Sequence, residues 1–315
     1  MGLVCADFTG DGWPDIFCAD DGGPNRLFVN QHNGMFIDEA MQRGLAFNAM
    51  GRTAANMGVV LADFESAGRP DLFITHLTEE YHSLFRQDQP GLFVDAVARS
   101  GLQLQAWRGT GFGAVGADFD LDGTVDLAFV NGLVRRAVPG HKPVLPGVSD
   151  WWGTYAQRAQ LFTNDGHGSF TDVSTVNPSF CGQAQVGRSL VVADLDDDGA
   201  PDLIVSSTGG PAQLYRNVAP RSGRHWLKLR LIDPTHGGRD AIGTEVMVVA
   251  GGRTRWAVLQ PAMSYLSSSE PVLHFGLGSA ATVDSIVVRW PSGAREVFAG
   301  TAADRTIELR MRASR

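Results

Sequence analysis

Four segments of the chain repeat one another, and each sets carboxylates at alternate positions of a turn between two short apolar runs. The pattern is D-x-D-x-D-G-x-x-D. Loop three is the clearest copy, Asp118-Phe-Asp120-Leu-Asp122-Gly123-Thr124-Val-Asp126, and loop four matches it with Asp194, Asp196, Asp198, Ala200 and Asp202. Loop one carries Asp7, Thr9, Asp11 and Asp15, and loop two carries Asp63, Glu65 and Asp71 with Ala67 at the fifth position. Each loop is followed by a second half built from an apolar pair and a Gly turn, as in Leu27-Phe28 with Gly34-Met-Phe36, Leu84-Phe85 with Gly91-Leu-Phe93, and Leu161-Phe162 with Gly168-Ser-Phe170. The fourth second half, Gln213-Leu214-Tyr215, is cut short. A repeated unit of strand, acidic turn, strand, loop, strand, turn and strand, about 40–50 residues long, is the signature of a propeller blade. No window sustains the 3.6-residue period of an amphipathic helix.

The acidic turn has the makings of a metal loop. Positions 1, 3 and 5 put oxygen side chains on one side of a tight turn, Gly at position 6 permits the reversal, and the ninth-position Asp opens the next strand. Hard oxygen donors in a flexible loop suit Ca²⁺ over softer transition metals. Unneutralised, such carboxylates repel and their pKa values rise. Loops three and four hold the full ligand set, with Thr124 and Ala200 at position 7. Loop one has the neutral Thr9 as a ligand. Loop two lacks the third ligand and reads as a polar β-turn held by Asx-type hydrogen bonds. The loops are not EF-hands, since flanking helices and a twelfth-position Glu are missing.

The formal charge of −8 and the absence of a Lys/Arg-rich run argue against a nucleic-acid partner. No stretch approaches the length of a membrane span, and the N-terminus lacks the basic and apolar regions of a signal peptide. Three cysteines make no disulfide framework. Cys5 and Cys18 fall on neighbouring strands, where a bridge competes with a reading as small buried hydrophobes.

Catalytic signatures are missing. Gly111-Phe-Gly113-Ala-Val-Gly116 matches a dinucleotide fingerprint only as a string, because a strand and an acidic loop follow it where a helix is required. His76, His82 and His141 lie between blade strands and read as solvated loop residues. The insertion at 132–160 carries Trp151, Trp152 and Tyr155, which either lid a blade face or present a sugar- or partner-gripping surface.

After Asn217 the acidic loops stop. Seven or eight short strands, beginning with His225–Leu231 and its alternation of Leu227, Leu229 and Leu231 against Lys228 and Arg230, predict a β-sandwich over 221–315. The fold expected is all-β, with propeller-type repeats over 1–220. Four blades can close a ring, remain an arc, or be completed by another chain.

The repeats resemble the FG-GAP/VCBS repeats of integrin-α-like propellers. The tail resembles the ASPIC/UnbV domain, and the stretches that carry the two resemblances are Val186-Gly-Arg188 and Gly210-Pro-Ala-Gln-Leu-Tyr-Arg-Asn217 in the repeats and His225-Trp-Leu227, Arg239-Asp-Ala-Ile-Gly243, Ser264-Tyr-Leu266, His274-Phe-Gly-Leu-Gly278 and Val288-Arg-Trp-Pro-Ser-Gly293 in the tail. The resemblance is to cartilage acidic protein-like extracellular proteins and to proteins encoded with enediyne biosynthesis. It implies Ca²⁺ in the loops, an extracellular setting, and a non-enzymatic module that presents loops to a protein or glycan. The alternative it raises is a tailoring enzyme whose site, at the junction of propeller and sandwich, uses His141, Asp150 or Tyr155.

Overall fold

The computed structural model describes residues 2–135 and 149–312. Each blade is an antiparallel meander, as hairpin turns between successive short strands dictate. The first contains β1 (Gly2–Ala6), β2 (Asp15–Ala19), β3 (Arg26–Asn30) and β4 (Phe36–Asp38). The second contains β5 (Val59–Ala62), β6 (Asp71–Ile74), β7 (Ser83–Gln89) and β8 (Leu92–Asp95). In the third, β9 (Gly111–Ala117) and β10 (Asp126–Asn131) are separated by the insertion from β12 (Gln160–Asn164) and β13 (Phe170–Asp172), while β11 (Gln157–Arg158) pairs with β14 (Ala184–Gln185). The fourth has three strands, β15 (Gly187–Ala193), β16 (Asp202–Ser207) and β17 (Gln213–Tyr215), so the shortened repeat gives a shortened sheet.

Every acidic loop joins the first two strands of its blade. The inner strands pack in chain order, β1 on β5, β5 on β9 and β9 on β15. Glycine permits the approach at Gly58 and Gly113: an added Cβ would collide with the Phe112 carbonyl at the first and the Leu190 backbone at the second. The Gly111–Gly116 run is therefore an inner strand shaped for its neighbour. Apolar residues fill the spaces between blades, as with Phe17, Leu61, Leu72 and Phe85 between the first two and Phe64, Phe73, Phe129 and Phe162 between the next two.

The C-terminal sheets face each other over Leu227, Leu229, Leu231, Val248, Ile286 and Trp290. One has β18 (His225–Asp233) at its centre, antiparallel to β19 (Arg239–Asp240) and β22 (Leu273–Gly278) and parallel to β25 (Arg305–Arg310). The other has the order β21 (Arg253–Val258), β20 (Glu245–Ala250), β23 (Thr282–Arg289), β24 (Arg295–Ala302).

The sandwich reaches into the blades. The segment between β21 and β22 runs along their inner strands. Ser264 exchanges backbone hydrogen bonds with Val59 (2.8 and 3.2 Å), its Oγ accepts from Ala114 N at 3.0 Å, and the hydroxyl donates to Leu190 O at 2.9 Å. One residue thus touches the inner strands of three blades. Ser189 and Ser267 join their hydroxyls at 2.6 Å, and Ser269 Oγ accepts from Val192 N at 3.2 Å.

Two expectations change, and one alternative closes. His76 and His82 are buried, not solvated: His82 Nδ1 accepts from His76 N at 3.0 Å, and His76 Nε2 meets Ser83 Oγ at 3.0 Å. Burial pulls their pKa values down to about 4 and about 3. Lys228, expected on the solvent face of its strand, is buried because that face docks on loop four. Cys5 and Cys18 are free thiols, with Cys5 opposite Ile16 and Cys18 opposite Leu3 in the strand register.

Candidate metal loops and their counter-ions

The ninth-position carboxylate is built identically in all four loops. Its Oδ2 accepts from the backbone N–H of the second position: Phe8 to Asp15 (3.1 Å), Phe64 to Asp71 (3.1 Å), Phe119 to Asp126 (3.1 Å) and Leu195 to Asp202 (3.0 Å). Its Oδ1 accepts from the third strand or just beyond it, at Asn30, Gln87, Asn164 and Asn217. The first-position carboxylate accepts from the amides of positions 5 and 6. For Asp63 these are Ala67 (2.8 Å) and Gly68 (2.7 Å), and for Asp118 they are Asp122 (3.0 Å) and Gly123 (2.7 Å). Asp7 and Asp194 do the same. Both positions therefore hold backbone without an ion. Loop two keeps Asp63 and Asp71 for this reason even though Ala67 removes a ligand.

The third position separates the loops. Single oxygens of Asp118, Asp120 and Asp126 lie within 4.8 Å of one another, and so do those of Asp194, Asp196 and Asp202. Among the described residues, no such grouping forms from Asp7, Asp11 and Asp15 or from Asp63, Glu65 and Asp71. Thr9 hydrogen-bonds Asp7 at 3.4 Å, and Glu65 pairs with Arg86. The fifth-position side chains lie outside the converging groups and bond locally: Asp122 accepts from Thr124 N (2.9 Å) and its hydroxyl (2.6 Å), Asp198 accepts from Ala200 N (3.0 Å), and Asp11 meets His32 Nε2 at 2.9 Å. Three convergent hard oxygens on a turn rich in backbone dipoles form a donor set for a hard divalent cation. Burial, with Asp122 and Asp120 nearby, pushes Asp118 up to about 8, and burial with Asp118 nearby does the same to Asp126.

Residues outside the motif complete these loops, and the motif alone gives no sign of them. Asn164 Nδ2 donates to Phe64 O at 2.9 Å, Asn217 Nδ2 to Phe119 O at 2.8 Å and Gln87 Nε2 to Phe8 O at 3.1 Å. Each of these side chains stitches its own blade to the loop before it. The signal in the sequence is the amide recurring at one place after each apolar pair. The C-terminal sheets supply cations. Arg289 Nη2 lies 2.8 Å from Asp7 Oδ2 and also pairs with Glu245, Lys228 Nζ lies 3.1 Å from Asp194 Oδ2 and from Asp197 Oδ1, and Arg255 lies over Gly123.

A cavity of about 170 Å³ lies where the blades meet the sandwich, lined among others by Asp118, Asp194, Lys228, Arg255, Glu270 and His274. Arg255 Nε and His274 Nδ1 are buried there without hydrogen-bond partners among the described residues. Asp150 and Tyr155 do not line it, and His141 lies outside the described residues. Asp150 is exposed at the start of a short helix (Asp150–Gly153), whose Trp152 packs near Tyr155 with ring centroids 5.8 Å apart and covers Gly209, while Trp151 stays exposed.

Fold and loops together define an all-β protein of propeller-type repeats whose acidic turns are suited to cations. The chain carries FG-GAP-like repeats and an ASPIC and UnbV domain: the family model described as "FG-GAP-like repeat" matches residues 7–74 and 147–205, and the model "ASPIC and UnbV" matches 234–315. It is similar to cartilage acidic protein 1 of Mus musculus, 29% identical over 89% of this chain and 40% of that protein. It is similar also to cartilage acidic protein 1 of Xenopus tropicalis, 27% identical over 96% of this chain and 43% of that protein. The chain thus spans about two fifths of the length of these relatives. Among solved structures, the V. cholerae biofilm matrix protein Bap1 aligns over 95% of this chain and 49% of that one, at 11% identity and a TM-score of 0.35. Among the described residues, no helix is long and apolar enough to cross a membrane.

Proposed function

We propose that this chain is a calcium-binding interaction module without catalytic turnover, in which Ca²⁺ braces the blades and the loops are presented to a protein or glycan partner outside the cell. The reading divides the chain into a repeat region of 1–220 and a sandwich of 221–315. The observation that carries it is the convergence of Asp118, Asp120 and Asp126, and of Asp194, Asp196 and Asp202. The FG-GAP-like repeats support it. Likeness to cartilage acidic protein 1 supports the extracellular setting. In this reading loops three and four hold Ca²⁺ through those side chains, with Thr124 and Ala200 at the seventh position. Loop one, with Thr9 and Asp11, is a weaker site, and Asp63, Glu65 and Asp71 serve structure. The ion supplies the positive charge that the clustered carboxylates lack, and the side chains supply geometry.

The decisive experiment is calcium titration by calorimetry after exhaustive chelation, on the wild type and on Asp120→Ala/Asp196→Ala. Binding at millimolar or lower calcium that the double variant loses is expected. A wild type without calcium-dependent heat would end the proposal. The enzyme alternative is not carried forward, since Asp150 and Tyr155 lie away from the junction cavity where its site was expected.

A further inference from the structure

Between the last blade strand and the first sandwich strand runs a nine-residue connection, 216–224, that carries three arginines. All three turn back onto the two loops whose oxygens converge. Arg224 Nη1 lies 2.8 Å from Asp120 Oδ2 and donates to the Asp120 carbonyl. Arg216 Nε lies 2.6 Å from Asp196 Oδ2, and its Nη2 lies 3.2 Å from Asp198 Oδ2. Arg221 Nη2 meets the same Asp198 oxygen at 2.7 Å, while its Nη1 donates to Asp198 O at 2.8 Å. Arg224 and Arg216 therefore take the third-position carboxylate, the side chain that distinguishes a converging loop from one that does not converge, and Arg221 takes the fifth-position carboxylate of loop four.

The same connection is also tied to the blades through Asn217. Asn217 N donates to Asp202 Oδ1 at 2.7 Å and its amide reaches Phe119 O. On either side of Asn217 the arginine side chains are solvent-accessible, with 59% exposure at Arg216 and 36% at Arg224. Lys228 differs: it is 2% exposed, and it approaches the first-position carboxylate from inside the fold.

We propose that Arg216, Arg221 and Arg224 are built-in counter-ions of loops three and four that calcium must displace, so that the 216–224 connection sets the calcium affinity of both loops and is released when they fill. The inference rests on the calcium reading of those loops. Its physical basis is competition for the carboxylates of the two loops. A carboxylate oxygen that accepts from a guanidinium has fewer lone pairs for a metal, and a divalent ion a few ångströms from that guanidinium repels it. Exposed ion pairs of this kind contribute at most about 1 kcal/mol, so the connection tunes affinity without blocking the site.

The test uses the whole chain and calcium alone as the probe. Calorimetric titration of the wild type, Arg224→Gln, Arg216→Gln/Arg221→Gln and the charge-keeping Arg224→Lys is compared. Each glutamine variant is expected to bind calcium about two- to fivefold more tightly at the corresponding loop, with Arg224→Lys near wild type. Limited tryptic cleavage after residues 216, 221 and 224 in the wild type, which needs no variant to fold, is expected to speed up when calcium is added. Glutamine variants that bind calcium equally or more weakly, or calcium that protects the connection from trypsin, would overturn the arginines' role while leaving calcium binding intact. Absence of calcium binding in the wild type and in every variant would overturn both readings together.

Discussion

Lys228 Nζ and Asp194 Oδ2 lie 3.1 Å apart, with both side chains almost wholly buried between a strand of the sandwich and the fourth acidic loop. Burial alone would lower the lysine's pKa, yet hydrogen bonds to Asp194 and Asp197 outweigh it and leave the pKa raised. The pair couples the C-terminal sheets to the turn most fully equipped with carboxylates.

Removing one partner of a buried pair leaves an uncompensated charge. Lys228→Ala is therefore expected to cost about 3–5 kcal/mol in chelator. Calcium, by taking up the charge of Asp194, should return part of that loss. Urea midpoints in EGTA and in calcium measure both effects; a variant as stable as the wild type in EGTA would mean that the pair does not hold the interface.

Ser264 joins three inner strands through one hydroxyl and one peptide. Ser264→Ala strips the partner from a buried amide at Ala114, a change expected to cost about 1–3 kcal/mol. Hydrogen exchange should show the loss as faster exchange at Ala114, in the third blade. If exchange there is unaltered, the hydroxyl is not what protects it.

The buried histidines set an acid limit. Depressed folded pKa values of about 4 for His76 and about 3 for His82 mean that the unfolded chain takes up protons first as pH falls through about 6.5. The stability they confer is present above that point and declines below it, by about 2 kcal/mol for each histidine at pH 5. Imidazole resonances followed by NMR are expected to stay neutral down to pH 5. A titration near 6.5 at either ring would remove this contribution.

Asp118 and Asp126 work in the opposite sense in the metal-free protein. With folded pKa values of about 8, they favour the folded state at low pH, and that stability is lost as pH rises through about 8. Calcium needs the same groups ionised. The thermal shift produced by calcium should therefore be larger at pH 8 than at pH 6. Equal shifts at the two pH values would show that these carboxylates are already ionised in the metal-free protein.

The loops should separate by their third position. At calcium tenfold above Kd, each occupied site adds roughly 1.4 kcal/mol. Asp120→Ala and Asp196→Ala should each remove about that increment, whereas Glu65→Ala should leave the calcium response unchanged. A calcium response that falls equally in all three variants would place an ion in loop two as well.

Much of this protein is written locally. Alternate carboxylates around Gly123 and Gly199, bounded by short apolar runs, determine a strand–turn–strand unit because the spacing acts within nine residues. Repetition of that unit leads to blades, and the alternation at Leu227, Leu229 and Leu231 leads to a sheet face. The sequence also ranks its own loops, since Ala67 and Thr9 are visible substitutions at ligand positions. Other properties depend on residues far apart in the chain. The other side of β18 was expected to meet water, but it docks on loop four, so Lys228 is buried. His76 and His82 fall between strands, yet neighbouring blades close over them. Arg224 reaches Asp120, Arg289 reaches Asp7, and Ser264 reaches Val59, Ala114 and Leu190 only after two architectures have packed together. A periodic pattern specifies which face of a strand is apolar. What covers the polar face, and which cation answers each carboxylate, is decided by long-range packing that no local spacing encodes.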